Sequence, residues 1–454
     1  MPAQSFGRRT FLAGSAGALA LSLAACAGSG ATAKRTAEKK PVYAQPEGDV
    51  PAEYAKRQRV VAWTTWGSTT GAVVAELAKR FNESQSDIFL DLQSQNGTYD
   101  ELAQKLAAGL QAKQIPDLAI FSEVTWHKFF LNDTLEPLDD YFTKSAPRAA
   151  YNSRLLDEGV LSGQLWWVPF ARSTPLFYYN RDLFAQAGLP DRAPKTWSEM
   201  REWGAELKGI TYNGNQPKMF AYPQVDGDWM FQGVLWNFGG GISKGLDITI
   251  DDAASIAAGE YERKLVADKL AYMATAPLTD FENGLIAAAE DSTGALGSVV
   301  QNSKFEVGTG FVPGEKSQEV PTGGGGFSIM ANSSTSRKKA AFEFLSFLAK
   351  PEQAAYWTTS TGYMPVVDAA KKESSFVDLV KKNPNFEVAI KQMDKTKKED
   401  DVRLFVPNAN IALYEGLQQI WSKNASAKSV FADVAETLKR SEAQIRAAYE
   451  SRVK

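Results

Sequence analysis

Between residues 59 and 121 the sequence alternates short apolar runs with helical stripes, and this order restricts the fold more than any other feature. Residues 59–65 and 90–93 are predicted strands, and so is the apolar run 118–121. Apolar residues recur at helical spacing in the two segments between them. A strand–helix–strand–helix–strand order predicts a largely parallel sheet covered by helices, so the predicted fold class is α/β.

The rest of the chain is less regular. Helical spacing predicts helices over 197–207, 253–273 and 341–348, the last of which ends before Pro351. A fixed-period repeat is not apparent, which argues against solenoids and propellers. At 454 residues the chain is longer than one hydrophobic core usually organises, so two lobes or domains are expected.

The composition excludes several classes of function. The sequence contains one histidine, His127, and one cysteine, Cys26. A zinc cluster, a Cys/His pair and an internal disulfide are therefore not expected, and no metal or cofactor is predicted. A formal net charge of -3 gives no general attraction for polyanions, so nucleic acid is not an expected partner.

The amino terminus has the pattern of an export signal. Arg8 and Arg9 precede an uncharged apolar stretch that is too short to span a bilayer. The arginine pair resembles a twin-arginine signal, and the residues that end at Cys26 resemble a bacterial lipobox, which implies lipidation of Cys26. We therefore expect a signal peptide over 1–25 and a lipid anchor on the outer face of the bacterial cytoplasmic membrane. Residues 26–58 lack periodicity and are predicted to form the lipidated N-terminus and a flexible linker.

Aromatic side chains follow several predicted strands. In open parallel sheets, ligands bind beyond the carboxyl ends of the strands. Sugars and polyols pack their C–H faces on Trp or Tyr, and their hydroxyls require hydrogen-bonding partners. Trp229, which follows Asp226, Gly227 and Asp228 in a loop, is the strongest such candidate. The aromatic residues therefore favour a polyol or sugar ligand.

Several segments are similar in order and content to the extracellular solute-binding proteins of carbohydrate importers, and most closely to their glycerol-3-phosphate-binding branch. The most specific are STPLFYYN (173–180) and STGYMP (360–365). PTGGGGFSIM (321–330) and VRLFVPNANIALYEGLQQIW (402–421) add to them. The resemblance runs through nearly the whole body of the chain.

This resemblance implies a two-lobed periplasmic-binding-protein-like fold, the Venus flytrap, with ligand held in the cleft between the lobes. Three chain crossings are expected, over 171–176, 322–327 and 365–371. Glycines 323 to 326 suit such a crossing because glycine tolerates the dihedral changes of a hinge. The lobes are expected to comprise 59–172 plus 326–367 (lobe I) and 173–325 plus 368–454 (lobe II).

The resemblance also implies a set of ligand-binding residues. Motif by motif, the residues that hold the ligand in the glycerol-3-phosphate branch fall on Tyr99, Glu123, Ser173, Ser292, Trp229, Gly323 or Gly324, and Tyr363. A second tryptophan of that branch falls on Asp226, and its phosphate-binding arginine falls on Asn410. A neutral amide cannot make the charge-assisted bidentate contact that phosphate favours. Arg172, beside Ser173, is the preferred substitute, and Arg403 is the alternative unless it forms a structural salt bridge.

The function implied is that of the substrate-binding lipoprotein of an ABC importer. It would bind glycerol-3-phosphate, a glycerophosphodiester or a related polyol, and deliver it as a monomer to permease subunits driven by a cytoplasmic ATPase. Because Asn410 replaces the arginine, a neutral mono- or oligosaccharide remains an alternative ligand. A secreted glycoside hydrolase, with two carboxylates in an aromatic groove, is the remote alternative; otherwise no catalytic residues are expected.

Overall fold

The computed structural model describes residues 40–224 and 227–453. The predicted signal peptide, Cys26, the first part of the predicted linker and Asp226 lie outside the described residues. Within the described ranges, no helix combines the length and the apolar character needed to cross a membrane.

The strands, numbered in chain order, are β1 (Gln58–Thr64), β2 (Ile88–Ser94), β3 (Leu118–Ser122), β4 (Val160–Leu161), β5 (Gln164–Leu165), β6 (Val168–Ser173), β7 (Pro175–Asn180), β8 (Phe220–Pro223), β9 (Ser243–Lys244), β10 (Asp247–Ile248), β11 (Ala271–Ala274), β12 (Ala288–Ser292), β13 (Val307–Gly310) and β14 (Gly323–Ile329).

The α-helices are α1 (Ser68–Ser84), α2 (Tyr99–Ala112), α3 (Thr125–Leu131), α4 (Ser153–Asp157), α5 (Arg181–Gln186), α6 (Trp197–Glu206), α7 (Gly227–Asn237), α8 (Ala253–Ala267), α9 (Pro277–Glu282), α10 (Leu296–Asn302), α11 (Thr335–Leu348), α12 (Pro351–Thr361), α13 (Ser374–Lys382), α14 (Asn385–Gln392), α15 (Asp401–Phe405), α16 (Ala409–Lys423) and α17 (Ala427–Arg452).

The first sheet has five strands in the order β2-β1-β3-β14-β6. β1 pairs in parallel with β2 and β3, whereas β14 runs antiparallel between β3 and β6. The apolar stripe of α1, with Val74 and Leu77 at its centre, is buried in the core. The predicted α/β class is therefore confirmed, and β1, β2 and β3 are parallel as predicted, but the sheet as a whole is mixed because β14 runs antiparallel to both of its neighbours.

A second group of strands, from β7 to β13, lies between β6 and β14 in the chain. β7 is the centre of the antiparallel sheet β12-β7-β13, and β8 pairs in parallel with β11. β6 and β7 are separated only by Thr174 but belong to different sheets. The chain therefore passes from one sheet to the other at Thr174, within the segment 171–176 predicted for the first crossing.

The predicted helix 253–273 is wrong at its carboxyl end. α8 ends at Ala267, and Lys269 has a φ of 61°, in the left-handed region. The chain then turns into β11, whose backbone pairs with β8. Apolar residues at helical spacing do not reveal this break, because a short buried strand has the same composition as a helix end.

Residues 41–58 pack on the first sheet, in contrast to the flexible linker predicted for them. The backbone N–H of Tyr43 donates to the carbonyl of Asn332 over 2.9 Å, and Ala44 accepts from the N–H of Ile115 over 2.9 Å. Tyr54 stacks on Phe89 with ring centroids 4.9 Å apart. Because these contacts join residues distant in sequence, local composition did not predict them.

Candidate functional site

Loops from both groups of strands enclose a cavity of about 490 Å³. Thr65 and Trp66 follow β1, and Glu123 follows β3, so these side chains enter the cavity from the carboxyl ends of parallel strands. Ser173 ends β6, and Ser292 ends β12 in the other sheet. The cavity therefore lies where the two sheets meet, as expected for an α/β ligand site.

The cavity brings together nearly all of the residues that sequence analysis selected for ligand binding. Those that line it are Tyr99, Glu123, Ser173, Trp229, Ser292, Gly323, Gly324, Tyr363 and Asn410. They come from positions more than 300 residues apart in the chain, and their clustering is a property of the fold. Their individual contacts with a ligand remain predictions.

Tyr99 presents an unpartnered hydroxyl at the cavity. It is the first residue of α2, whose start is stabilised by a capping box in which Thr98 accepts from Glu101 N–H and Glu101 accepts from Thr98 N–H. The Tyr99 hydroxyl is buried and has no hydrogen-bond partner. Burial, with Tyr363 and Glu123 nearby, raises its pKa well above the usual value. Tyr99 is therefore a neutral hydroxyl that a ligand can satisfy.

Aromatic rings form one wall of the cavity. Tyr363 stacks on Trp357 with centroids 5.5 Å apart, and Trp66 contacts Tyr99 edge to face at 6.4 Å. Burial raises the pKa of Tyr363 to about 12, so it also stays neutral. The resulting surface suits a C–H face or an organic cation.

Trp229 lies in the first turn of α7 and not in the loop predicted for it, and it is held against the glycine strand β14. Its Nε1–H donates to the carbonyl of Thr322 over 2.9 Å. A Cβ on Gly323 would lie 2.4 Å from the indole, so only glycine allows this approach. Gly324 has a φ of 85°, which a side chain rarely tolerates. The glycines form a strand with a bulge here, and they let an aromatic ring lie close to the backbone.

Asn410 lies in the first turn of α16 and faces α2. Its Nδ2–H donates to Oδ2 of Asp100 over 3.2 Å. The amino end of α16 has no side-chain cap, so its first backbone N–H groups are not paired by a capping side chain. Helix amino termini favour negative charge, and this end adjoins the cavity through Asn410.

Arg172 is not placed at the cavity surface, so the predicted phosphate contact is not supported. The residue is 0% exposed. Its guanidinium donates to the carbonyl of Gly323 and forms an ion pair with Glu158. A second carboxylate, that of Glu123, lies 3.9 Å away. β6 turns this side chain away from the cavity, and an inner ion pair forms behind the cavity wall.

Arg403 lines the cavity but is surrounded by carboxylates. Its Nε donates to Asp228 Oδ2 over 3.0 Å, and Nη1 lies 3.4 Å from Glu123 Oε1. Nη1 also pairs with Glu399. Burial opposes the charge, yet the carboxylates of Glu399, Asp228 and Glu123 raise the pKa of Arg403. The guanidinium is therefore permanently charged and already paired.

The lining is acidic overall. Its carboxylates are Asp100, Glu123, Asp228 and Asp291, whereas Arg403 is the one lysine or arginine among the described lining residues. In the part of the chain that the structure describes, no three His, Cys, Asp or Glu side chains are grouped so as to hold a metal ion. The lining therefore suits an organic ligand that carries hydroxyl groups and a positive charge.

Sequence analysis did not select several lining residues. They include Thr65, Asp100, Met230, Thr275, Pro277 and Asp291. Asp100 carries a signal that was available, since it lies in the first turn of a helix at the predicted ligand edge. The remainder depend on how the second sheet turns toward the first.

A family model described as bacterial extracellular solute-binding protein matches residues 76–388. Among proteins of known function, the periplasmic sn-glycerol-3-phosphate-binding protein UgpB of Pectobacterium atrosepticum is 28% identical over 358 residues, which are 73% of this chain and 78% of that protein. The homologous protein of Escherichia coli K12 is 27% identical over 385 residues, 79% of this chain and 87% of that protein.

Solved structures show the same similarity. UgpB from Mycobacterium tuberculosis in complex with glycerophosphocholine superposes with a TM-score of 0.80 at 33% identity, over 84% of this chain and 97% of that one. The GacH receptor of Streptomyces glaucescens, solved unliganded and with acarbose, gives a TM-score of 0.74 at 19% identity, over 85% of this chain and 98% of that one. The latter likeness supports the fold alone.

Proposed function

This chain belongs to the family of bacterial extracellular solute-binding proteins, and from that membership we propose that it captures a glycerophosphodiester for an ABC importer. The observation that carries the proposal is the convergence of the residues similar to the glycerol-3-phosphate branch on one cavity. Binding without turnover follows from this match to a binding site, and two of the lining carboxylates, Glu123 and Asp228, are paired with Arg403.

The charge of the cavity favours a diester over glycerol-3-phosphate. A phosphate monoester carries about two negative charges at pH 7, whereas a diester carries one. Asp228 and Glu123 already pair with Arg403, so that cation has little charge left for a dianion. Leaving such a group unpaired in a buried site costs several kcal/mol. A single phosphate charge is met more easily by the amino end of α16 and the amide of Asn410.

The first cavity also has features that suit a positively charged headgroup. Carboxylates and aromatic faces in one cavity are the features that recognise a quaternary ammonium. Trp66, Tyr99 and Tyr363 supply the rings, and Asp100 and Asp291 supply carboxylates. A zwitterionic diester such as glycerophosphocholine, the ligand in the structure of the Mycobacterium tuberculosis relative, is therefore our first choice.

Ligand titration by calorimetry tests this choice. We expect glycerophosphocholine to bind the purified protein at least about tenfold more tightly than glycerol-3-phosphate, because a desolvated cation–π contact of its ammonium group is worth ~1.4 kcal/mol or more. Preference for glycerol-3-phosphate would contradict the charge argument. Binding of neutral oligosaccharides alone would instead support the alternative in which Asn410 marks a sugar-binding protein. Release of product from glycosides would indicate the hydrolase.

We further propose that the two sheets belong to lobes that close on the ligand. We place lobe I at 59–172 plus 326–367 and lobe II at 173–325 plus 368–454, with crossings at 171–176, 322–327 and 365–371. The direct passage from β6 to β7 supports the first crossing. Two contacts join the proposed lobes across the cavity, between Glu123 and Arg403 and between Asp100 and Asn410.

Closure predicts a change of shape in solution. Small-angle scattering of the purified protein should give a smaller radius of gyration with saturating glycerophosphocholine, because the ligand stabilises the closed state. The matched control is Trp229→Ala, which should show no change at the same ligand concentration. An identical profile with and without bound ligand would contradict hinge closure.

Export and anchoring are proposed to depend on different residues of the amino terminus. Arg8 and Arg9 precede the apolar run, and Cys26 ends it. Cys26→Ser should leave the protein exported but released from the membrane, because a lipid chain supplies the attachment. Cell fractionation with a high-salt wash measures this. If the Cys26→Ser protein stays in the membrane fraction, the anchor is not at Cys26.

A further inference from the structure

A second cavity, of about 240 Å³, lies on the other side of Glu123 from the first. Its inner wall includes Glu123, Glu158 and Glu399, with Trp126 and His127. Its rim carries Arg154, Asp157, Lys397 and Lys398. Glu123 lines both cavities, so the second cavity is separate from, but adjacent to, the proposed glycerophosphodiester site.

The inner wall has more carboxyl groups than guanidiniums, although burial raises the pKa of Glu158 and of Glu399 and so opposes their ionisation. Arg172 pairs with Glu158, and Arg403 pairs with Glu399. Glu123 lies 3.9 Å from the first guanidinium and 3.4 Å from the second. Three carboxyl groups therefore share two guanidiniums. Arg403 also forms an ion pair with Asp228, which lines the first cavity. A further positive charge at this wall would be stabilised.

One carboxylate oxygen of this wall lacks a hydrogen bond. Glu399 is 6% exposed, and its Oε1 is buried without a partner while Oε2 accepts from Arg403. An unsatisfied buried acceptor is costly, so a ligand that donates to it gains binding energy. His127 beside it is neutral, because burial lowers its pKa to about 3, and therefore adds no competing positive charge.

The rim does not reverse this preference. Arg154 donates to the carbonyl of Met393 over 3.0 Å, and Lys397 pairs with Glu319 at 3.2 Å. Asp157 adds a negative charge at the same rim. Two of the three rim cations are thus engaged, and the third, Lys398, is close enough to His127 to lower its pKa. Glu399 Oε1 at the inner wall has no hydrogen-bond partner.

We propose that the second cavity binds a small organic ammonium compound with N–H donors, whose charged group reaches Glu399. An ammonium group supplies the two things that this wall lacks, which are a further positive charge and hydrogen-bond donors. A quaternary ammonium has no N–H and cannot satisfy Oε1. The chemical class is therefore a primary amine, which distinguishes this site from the aromatic first cavity.

Titration of the purified protein with ethylammonium chloride, against sodium chloride at equal ionic strength, tests the proposal. We expect saturable binding that Glu399→Gln weakens roughly tenfold or more, since the charged acceptor is lost. Trp229→Ala removes a ring that lines the first cavity and reaches the second only through its hydrogen bond to the Thr322 carbonyl, so it should change ethylammonium binding much less than Glu399→Gln does. Glu262→Gln is the matched control, because Glu262 is another buried glutamate with its pKa raised to about 8 and lies outside this cavity.

A second variant guards against misfolding of the first. Val160 lines the second cavity, and Val160→Trp fills it without changing a charge. Loss of ethylammonium binding in Val160→Trp supports the site even where Glu399→Gln does not fold. Binding that survives Val160→Trp but disappears in Trp229→Ala would place the amine in the first cavity and overturn the proposal. No saturable binding, or binding of inorganic phosphate instead, would also overturn it.

The pH dependence supplies an independent readout. Burial raises the pKa of Glu399 to about 8, against the effect of Arg403 and with Glu123 and Glu158 adding negative charge nearby. Its carboxylate form therefore increases as the pH rises. Ethylammonium affinity should increase from about pH 6.5 to about pH 8.5 in the wild type and stay flat in Glu399→Gln. A wild-type affinity that falls over this range would contradict contact with Glu399.

Discussion

Replacing Arg403 by alanine is expected to abolish ligand binding and to lower the free energy of unfolding by about 3–5 kcal/mol, the usual cost of breaking a buried ion pair. The reason is the number of carboxylates that this guanidinium neutralises. Asp228 and Glu399 are each less than a tenth exposed and would lose their charged partner. Glu123 would lose its contact between the two sides of the cavity. Urea denaturation and calorimetric titration measure the two effects.

Arg201→Ala is the matched control for this prediction. Arg201 pairs with Asp268 at 2.5 Å, but the two side chains are 45% and 40% exposed. Because water screens exposed pairs, its loss should cost less than about 1 kcal/mol and leave binding unchanged. The free energy of unfolding of Arg403→Lys should fall between the values for Arg403→Ala and Arg201→Ala, because lysine keeps the charge without the planar guanidinium. Equal stability of Arg403→Ala and Arg201→Ala would contradict the stabilising role of the ion pairs around Arg403.

Replacing Trp229 by alanine is expected to weaken every ligand of the first cavity by about 2–4 kcal/mol, the range for a buried aromatic anchor. Stacking of the indole on a carbon face would not detect charge, so glycerophosphocholine and any sugar should be affected alike. Loss of the ring also removes the hydrogen bond to the Thr322 carbonyl and opens space over Gly323. Calorimetric titration of each ligand measures the change.

Trp229→Phe separates the ring from the hydrogen bond. Phenylalanine keeps an aromatic face but cannot donate to Thr322, so affinity should fall by only about 0.5–1.5 kcal/mol. If Trp229→Phe is as damaging as Trp229→Ala, the indole acts by holding the loop in place and not by stacking. If neither variant changes affinity, Trp229 does not contact the ligand.

The two arginines show why charge at the site was difficult to predict. Arg172 and Arg403 are both adjacent to recognisable motifs, and either could replace the arginine that Asn410 displaces. Neighbours in sequence do not specify which way a strand side chain points relative to a second sheet. The fold places Arg172 behind Gly323 and leaves Arg403 at the cavity. Glu399 lies only four residues before Arg403, but Asp228 and Glu123, which complete its set of carboxylates, come from distant segments of the chain.

The sequence by itself determined the α/β class, the parallel β1, β2 and β3, and many of the polar and aromatic residues around the first cavity. It did so because local periodicity specifies strands and helices, and because the family motifs pointed to candidate ligand-binding residues. Only the tertiary structure decided the end of α8, the packing of residues 41–58 and the sharing of three carboxylates between Arg172 and Arg403. These features depend on pairing between distant segments, where backbone hydrogen bonds and the low dielectric of the interior decide which groups meet.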